Sequence, residues 1–414
     1  MLLAHRLQTY HPSLTKKHRT DMKLNNRFDL NINRREWLKL AGAGTAYATL
    51  AGCGTLIRSP KGPPYARPLS VLPFGRPNID AAQITRILVG LRPYRAAGFV
   101  VRGERAGDKT IIHNYGHGGG GITLSWGSSA LAVAEAPDLA IKNAAVIGCG
   151  VMGLSTARLL QERGWNVTIY AKDLPPNTTS NIAGGQWAPT SVFSPQSIDA
   201  AFAAQFRRAL LISHQIFLKL VDVPGYGVSL RENYYLNANP TTAADFFYLR
   251  DYPELFPSIA ELVPDDHPFA APYVLRHVTM LIEPSTYLPR LMRDITGAGG
   301  KITLRAFQQR DELLTLEEPV IFNCTGLGSR ELLNDTELTP VRGQLVLMPP
   351  DERVDYSTHG GMNGGNGLLY MFPRADGILL GGAYERGANH LEADAETTAR
   401  IVSEHARLFQ NLRI

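Results

Sequence analysis

Apolar and polar positions along this chain change period several times, and each change marks a predicted element. "NIDAAQITRILVG" (Asn78 to Gly90) spaces its apolar residues like a helix and predicts one, stopped at Gly90. "RAAGFVVRGE" and "KTIIHNYG" predict strands. "SWGSSALAVAEA" is small and apolar nearly all round, which predicts a buried helix, and "PDLAIKN" a short connection. "AAVIG" predicts a buried strand, "MGLSTARLLQERG" a helix stopped by Gly164, and "NVTIYA" a second strand. From Asp199 to Arg310 helical and extended patterns mix, and "LPRLMRDITGAGG" predicts an amphipathic helix. "EPVIFNCTG", "GQLVLM" and "LLYMFPRADGILLGG" predict strands, and "ETTARIVSEHARLFQNLRI" a closing helix. No internal repeat is present.

The strand–helix–strand unit beginning at Ala144 carries candidate chemistry. Gly148, Gly150 and Gly153 fall at its first turn in the spacing of a dinucleotide fingerprint. Gly148 would allow the tight turn, Gly150 the approach of backbone to a pyrophosphate, and Gly153 close packing of helix on strand. The helix start at Val151 and Met152 offers free N–H groups and a positive dipole end to phosphates. Lys172 and Asp173 close the second strand, where nicotinamide binders place an acidic residue for the ribose. The motif alone does not choose between flavin and nicotinamide.

Charge and cysteine usage alter the picture at one end. The formal net charge is +5, but residues 1–52 hold 9 Lys+Arg and 3 Asp+Glu, leaving 33 and 34 of the totals of 42 and 37. The basic surplus therefore belongs to a leader, and a nucleic-acid partner is not expected. Arg34 and Arg35 open "RREWLK", a twin-arginine pattern, and a weakly apolar stretch ends in "LAGC" at Cys53. This predicts twin-arginine export to the periplasm, lipidation of Cys53 and a membrane anchor, with Met22 an alternative start to Met1. Residues 54–75, rich in Pro, Gly and Arg, read as a tether. Cys149 and Cys324 read as buried small hydrophobes, and no metal-ligand spacing exists.

Several separated motifs agree on one family. "VIGCGVMGLSTARLL", "NTTSNIAGGQWAP", "FNCTG", "RGQ", "GLRPYR" and "HNYGHGGGGITLSWG" resemble the D-amino-acid oxidase and D-aspartate oxidase flavoproteins. The resemblance covers most of residues 80–414. It departs in order: "GLRP" and "HNYGHG" close the chain in that family and precede the fingerprint here. The implied fold is an α/β, Rossmann-like FAD-binding domain with a mixed-sheet substrate domain, circularly permuted. The implied segments are an export signal (1–53), a tether (54–75), a permuted segment (76–140) and a first FAD-binding part (141–198). A mainly substrate-binding part (199–310), an FAD-binding return (311–345) and a second substrate part with closing helix (346–414) follow. If this is right, residues 111–135 lie beside the Gly148–Gly153 turn.

The resemblance also implies roles. Arg92 matches the arginine that binds the substrate carboxylate, and Tyr370 a tyrosine whose hydroxyl assists it. A second family tyrosine falls near Asn366 here, next to a short Gly-rich segment where relatives have a lid. The carbonyl of Gly119 would accept from the substrate amine. Backbone N–H groups of Gly118, Gly119, Gly120, Gly121 and Ile122, with Thr123, would face the flavin ring. Thr178, Thr179 and Ser180 match the pyrophosphate-side hydroxyls, and Gly185 and Gln186 lie where the chain passes the ring. His117 is expected to be a structural hydrogen-bonder within the loop. Positions that hold a second carboxylate in D-aspartate oxidases fall on Asn363, Tyr384 and Thr190, none of them cationic.

The expected activity is FAD-dependent oxidation of D-amino acids, neutral ones in preference, to 2-oxo acids with ammonia and hydrogen peroxide. A respiratory acceptor in place of oxygen, as in a glycine- or sarcosine-type dehydrogenase, is the first alternative. A non-catalytic FAD-binding lipoprotein is the second and a nicotinamide reductase the weakest. Whether the chain forms a homodimer is left open.

Overall fold

The computed structural model describes residues 74–360 and 369–413. The leader, Cys53, most of the tether and the segment holding Asn363 and Asn366 lie outside the described residues. In chain order the main elements begin with β1 (Arg86–Tyr94), β2 (Val100–Ala106), β3 (Lys109–Tyr115), α1 (Gly121–Ala134) and β4 (Asn143–Ile147). Next come α2 (Val151–Glu162), β5 (Asn166–Ala171), α3 (Thr179–Ile182), α4 (Ala200–Leu220), β6 (Val228–Asn237) and α5 (Phe247–Asp251). Then follow β7 (Ala260–Leu262), β8 (Tyr273–Ile282), α6 (Pro284–Gly297), β9 (Lys301–Leu304), α7 (Arg310–Leu314), β10 (Val320–Asn323) and α8 (Ser329–Leu332). The chain ends with β11 (Thr339–Met348), β12 (Ser357–His359), β13 (Tyr370–Arg374), β14 (Gly377–Gly381), β15 (Glu385–Arg386) and α9 (Ala395–Gln410).

Two sheets organise these elements. The first has six strands in the order β2-β3-β10-β4-β5-β9. All its pairs are parallel except β2 with β3. Its central strands are apolar runs, as strands covered on both faces must be. α1 and α2 cover one face, while Ile111, Ile147 and Ile321 on the other pack with Leu313, Leu316 and Leu332. The second sheet has nine strands, β1-β11-β14-β13-β12-β6-β8-β7 with β15 beside β11. One of its faces packs α9 through Val346, Leu380, Ile401 and Phe409.

The expected fold class is present, with two differences in detail. Arg86 to Gly90 is strand, not helix: only Ala81–Gln83 forms a short helical turn, and β1 then pairs with β11 along its whole length. The β-branched Ile, Thr and Val of "ITRILV" fit a pleated ladder, and that long pairing outweighs an apolar spacing shared by both structures. The segment boundaries also move. β9 already lies on the first sheet, ahead of the expected return at 311, and β11 lies wholly on the second.

A small-residue contact sets α1 deep in the molecule. A Cβ at Gly127 would lie 1.7 Å from the Ala209 carbonyl oxygen of α4, so glycine alone permits that approach. Among the described residues no helix is long and apolar enough to cross a membrane.

Candidate active site

The fingerprint turn is built as its glycines require. Gly148 has φ +110°, and a Cβ there would meet the Cys324 carbonyl oxygen at 2.6 Å. At Gly153 a Cβ would lie 1.9 Å from the Gly148 carbonyl oxygen, so α2 sits directly on the end of β4. Gly150 is the N-cap of α2 and has no side chain to cover the first N–H groups. The turn lies at the carboxyl ends of β4 and β10, in the crevice where an open α/β sheet binds its ligand.

The Ser180 hydroxyl accepts from Val151 N at 3.0 Å, bringing the 178–180 hydroxyls to the start of α2. Thr178 bonds Asn181 at 2.8 Å, and Thr179 is exposed. Lys172 and Asp173 are exposed and pair with each other at 3.8 Å. A glycine cradle at a helix start, hydroxyls beside it and an open strand end fit a dinucleotide pyrophosphate.

The loop that precedes the fingerprint in sequence meets it in space. Asn114 at the end of β3 donates to Ser129 and Thr156, at 3.1 and 3.2 Å, tying β3, α1 and α2 together. Ser129 donates to the Met152 carbonyl at 3.3 Å. A Cβ at Gly121 would be 3.9 Å from Met152 Cε. Residues 111–135 therefore lie beside the Gly148–Gly153 turn, as expected.

Within the loop some donors are already engaged. Gly119 N donates to Ser191 O and Gly120 N to His117 O, each at 3.0 Å. Thr123 Oγ1 donates to Ala188 O at 3.0 Å and accepts from Ala188 N at 3.1 Å. The Gly119 and Thr123 bonds fasten the loop to residues 188–191, and the Gly120 bond closes a turn within it. The need for glycine has a local cause as well. A Cβ at Gly118, whose φ is +54°, would lie 2.1 Å from Ser191 O, and one at Gly120 would lie 2.5 Å from Val192 Cγ2.

His117 departs from its expected role. Its ring stacks on Phe99 at 4.7 Å and 8°, and its buried Nε2 has no hydrogen-bond partner. Burial lowers its pKa to about 3, and that of His277 to about 4. The sign of the linkage follows. The unfolded chain binds these protons from about pH 6.5 downward and the fold does not, so stability is lost as pH falls below that value. Each of the two costs about 2 kcal/mol at pH 5. Thermal unfolding should give a similar midpoint at pH 8 and pH 7 and a falling one from pH 6 to pH 5. A midpoint unchanged at pH 5 would contradict this burial. The Cys149 and Cys324 thiols are buried and pushed up to about 12, so neither is a nucleophile.

The residues expected on the substrate side come from the second sheet. Paired positions share a face, so Gly90 and Arg92 of β1 lie on the same face as Val341, Gly343 and Leu345 of β11. Leu345 pairs with Gly381, Gly381 with Tyr370, and Tyr370 with His359, carrying that face across the sheet. The Arg92 guanidinium lies on Gly343, where a Cβ would meet Nη1 at 2.4 Å. The Tyr370 ring lies on Gly381, where a Cβ would meet Cζ at 2.0 Å. Gly343 and Gly381 are diagonal neighbours, roughly 7–8 Å apart.

Arg92 Nη1 is buried without a hydrogen-bond partner, and among the described residues no carboxylate pairs with it. The Tyr384 ring lies 5.9 Å from its Cζ. An unpartnered guanidinium nitrogen beside a tyrosine fits a carboxylate arriving from outside the chain. Gly343→Ala should push the guanidinium off its seat and lower kcat/KM about 10²-fold with flavin content unchanged. Steady-state kinetics beside the visible spectrum checks this, and unaltered kcat/KM would contradict it.

The two sheets meet at residues 182–187. Ile182 sits on Gly90, where a Cβ would be 2.9 Å from Cγ2. Arg374 donates to Ala183 O at 3.0 Å. Gly185, at φ +95°, accepts from Ile282 N at 2.8 Å through its carbonyl, and Trp187 N donates to Met280 O at 2.8 Å. The Gln186 side chain thereby faces the second sheet. It bonds Asn233 Oδ1 and His359 Nε2, each at 2.7 Å. His359, Asn233, Gly343 and Gly381 are additions to the residues expected at this face. The "RGQ" motif pointed at Gly343, but nothing marked the other three.

A glycine turn open to a dinucleotide, joined to a sheet face that carries an unpartnered guanidinium nitrogen, is the arrangement of a cofactor-dependent oxidoreductase. The FAD dependent oxidoreductase (DAO) family model matches residues 143–414, and the chain belongs to that family. It is therefore an FAD-binding flavoprotein oxidoreductase. It is 34% identical over 265 residues to a D-amino-acid oxidase of Streptomyces coelicolor, covering 64% of this chain and 76% of that one. A D-amino-acid oxidase of Rubrobacter xylanophilus is 31% identical over 280 residues, covering 66% and 79%. Human D-aspartate oxidase is 30% identical over 275 residues, covering 65% and 76%. Among solved structures, glycine oxidase from Bacillus cereus aligns with TM-score 0.48 and 16% identity, over 64% of this chain and 77% of that one.

Proposed function

We propose that this chain is an FAD-dependent oxidase that deaminates neutral D-amino acids to 2-oxo acids, with ammonia and hydrogen peroxide as the other products. The observation that carries the reading is the half-buried Arg92 guanidinium, laid on Gly343 with Nη1 unpartnered and Tyr370 diagonal to it. Bound FAD supplies the sink for the hydride leaving Cα. The chain's own residues do the rest by position. Arg92 takes the carboxylate with two parallel donors, and the Tyr370 hydroxyl adds a third. The carbonyl of Gly119, an exposed residue, accepts from the amine. Pinning carboxylate and amine at two points fixes which Cα hydrogen faces the ring. Water then hydrolyses the imino acid, and oxygen takes up the two electrons.

Two further parts of the reading concern the chain's arrangement. A circular permutation accounts for a family model that begins at residue 143 while the loop before it packs on the fingerprint turn. It is also supported by the meeting of both described ends, where Arg76 Nη2 donates to Leu412 O at 3.2 Å. The twin arginines and Cys53 support export and a lipid anchor in the periplasm.

The test is to add a panel of D-amino acids to the purified full-length protein without oxygen and then admit oxygen. Loss of flavin absorbance followed by recovery with peroxide is expected. Bleaching without oxygen-driven recovery would point to another electron acceptor, and no bleaching by any D-amino acid would overturn the reading.

A further inference from the structure

A cavity of about 700 Å³ opens on the first sheet, at its β2 edge. Arg102 is Cα-paired with His113, Val100 with Tyr115 and Glu104 with Ile111, so these side chains share the face on which Ile111 packs with Leu313 and Leu332. Beyond the cover of α7 and α8 that face is open. Arg102, His113, Tyr115 and Glu104 line the opening together with Arg95, Arg310 and the 333–337 loop.

Most of the charge in this cavity is matched from within. Arg95 Nε lies 3.0 Å from Asp335, its Nη2 donates to Glu337, and the Tyr115 hydroxyl donates to Asp335 at 2.9 Å. Arg310 donates to Glu104 at 2.8 Å. The three acids are thus taken by two of the three arginines, and among the described residues no hydrogen bond or ion pair holds Arg102. His113, fully buried, has a donor in the same state. Thr325 N donates to Asn323 Oδ1 at 3.3 Å and fixes that amide, so Asn323 Nδ2 donates to His113 Nδ1 at 3.4 Å. The histidine proton is therefore on Nε2, which stands 3.6 Å from Glu104 Oε1, beyond hydrogen-bond distance.

We propose that this cavity is a second ligand site, taking an organic carboxylate whose oxygens lie between Arg102 and His113 Nε2. A guanidinium fork beside an N–H donor suits a carboxylate, and the volume holds a metabolite-sized body as well as its anionic group. The site is separate from Arg92, which lies on the second sheet. Its walls nonetheless reach the nucleotide crevice. Phe99 stacks on His117 at 4.7 Å, and Asn323 precedes Cys324, whose carbonyl lies against Gly148. The proposal does not rest on the D-amino-acid reading, and a flavin that no D-amino acid bleaches leaves it standing.

Titration calorimetry at low ionic strength tests it on the FAD-loaded Arg92→Ala protein, in which the other face has lost its guanidinium. Succinate and hexanoate are the probes, and inorganic phosphate is the comparison. One equivalent of carboxylate should bind. Adding Arg102→Gln should weaken binding about tenfold or more, and adding Arg102→Lys in its place should weaken it less, because the charge stays and only the fork is lost. Arg102 is exposed, so neither change disturbs the core, and the visible spectrum checks that FAD is retained. Failure of both carboxylates to bind, or an affinity in the Arg102→Gln protein unchanged within about twofold, would overturn the proposal. Binding of phosphate without either carboxylate would overturn the ligand class.

Discussion

Arg92→Ala is expected to lower kcat/KM by roughly 10²–10⁴ while the flavin remains bound. The range follows from the chemistry at Gly343. Two charge-assisted hydrogen bonds to a substrate carboxylate are lost, each about 1.5–3 kcal/mol. The side chain lies on the second sheet and its free nitrogen serves no internal partner, so its removal leaves no orphan in the fold. Arg92→Lys should recover only part of the loss, because an ammonium is a point charge and cannot present two parallel donors. Steady-state kinetics over a series of D-amino acids, with flavin content measured in the same samples, separates anchoring from cofactor loss. Wild-type kcat/KM in Arg92→Ala would remove the anchor from the scheme.

The second large effect lies at the fingerprint, where neighbouring glycines predict different failures. Gly153→Ala sets a Cβ 1.9 Å from a backbone carbonyl oxygen, so α2 must lift from β4. Overpacking of this kind costs typically 1–3 kcal/mol, and more when the obstruction is backbone. Both the melting temperature and the flavin content should fall. At Gly150 the only near atom is Ser180 Oγ, at 3.1 Å, and φ is −76°, which alanine adopts freely. Gly150→Ala should therefore fold normally and lose FAD, its methyl occupying the approach to the pyrophosphate. Calorimetry and the visible spectrum of the two variants read the difference. A Gly153→Ala protein as stable and as yellow as wild type would contradict the packing described.

The nucleotide half was largely legible in the sequence. A short apolar strand, a glycine turn and a helix stopped by Gly164 are local features, and the structure places them as read. Motifs singled out Arg92 and Tyr370, which the structure sets on one sheet face, but motifs name residues and not the glycines beneath them. β1 was misread because seven residues from Ile84 to Gly90 satisfy two periods, and the pairing that decides between them comes from β11, more than 240 positions later. His359 was invisible for a related reason. Its partner Gln186 is 173 positions away, and a histidine in "STHGG" carries no pattern that marks burial or partnership. Side-chain networks between sheets leave little trace in sequence periodicity.

The strand order of the first sheet bears on how the molecule is made. β3, α1, β4, α2 and β5 follow one another along the chain, and leave the ribosome together. Yet β3 and β4 do not touch in the finished sheet: β10, four fully buried residues, stands between them. Until Val320 to Asn323 have been synthesised, two apolar strand edges face each other across an empty slot, each a site for pairing with the wrong chain. A nascent chain ending before residue 324 therefore has helices and strands but no finished nucleotide crevice. The crevice closes only when this late strand drops in, and by then most of the second sheet's β6–β8 half has been made as well.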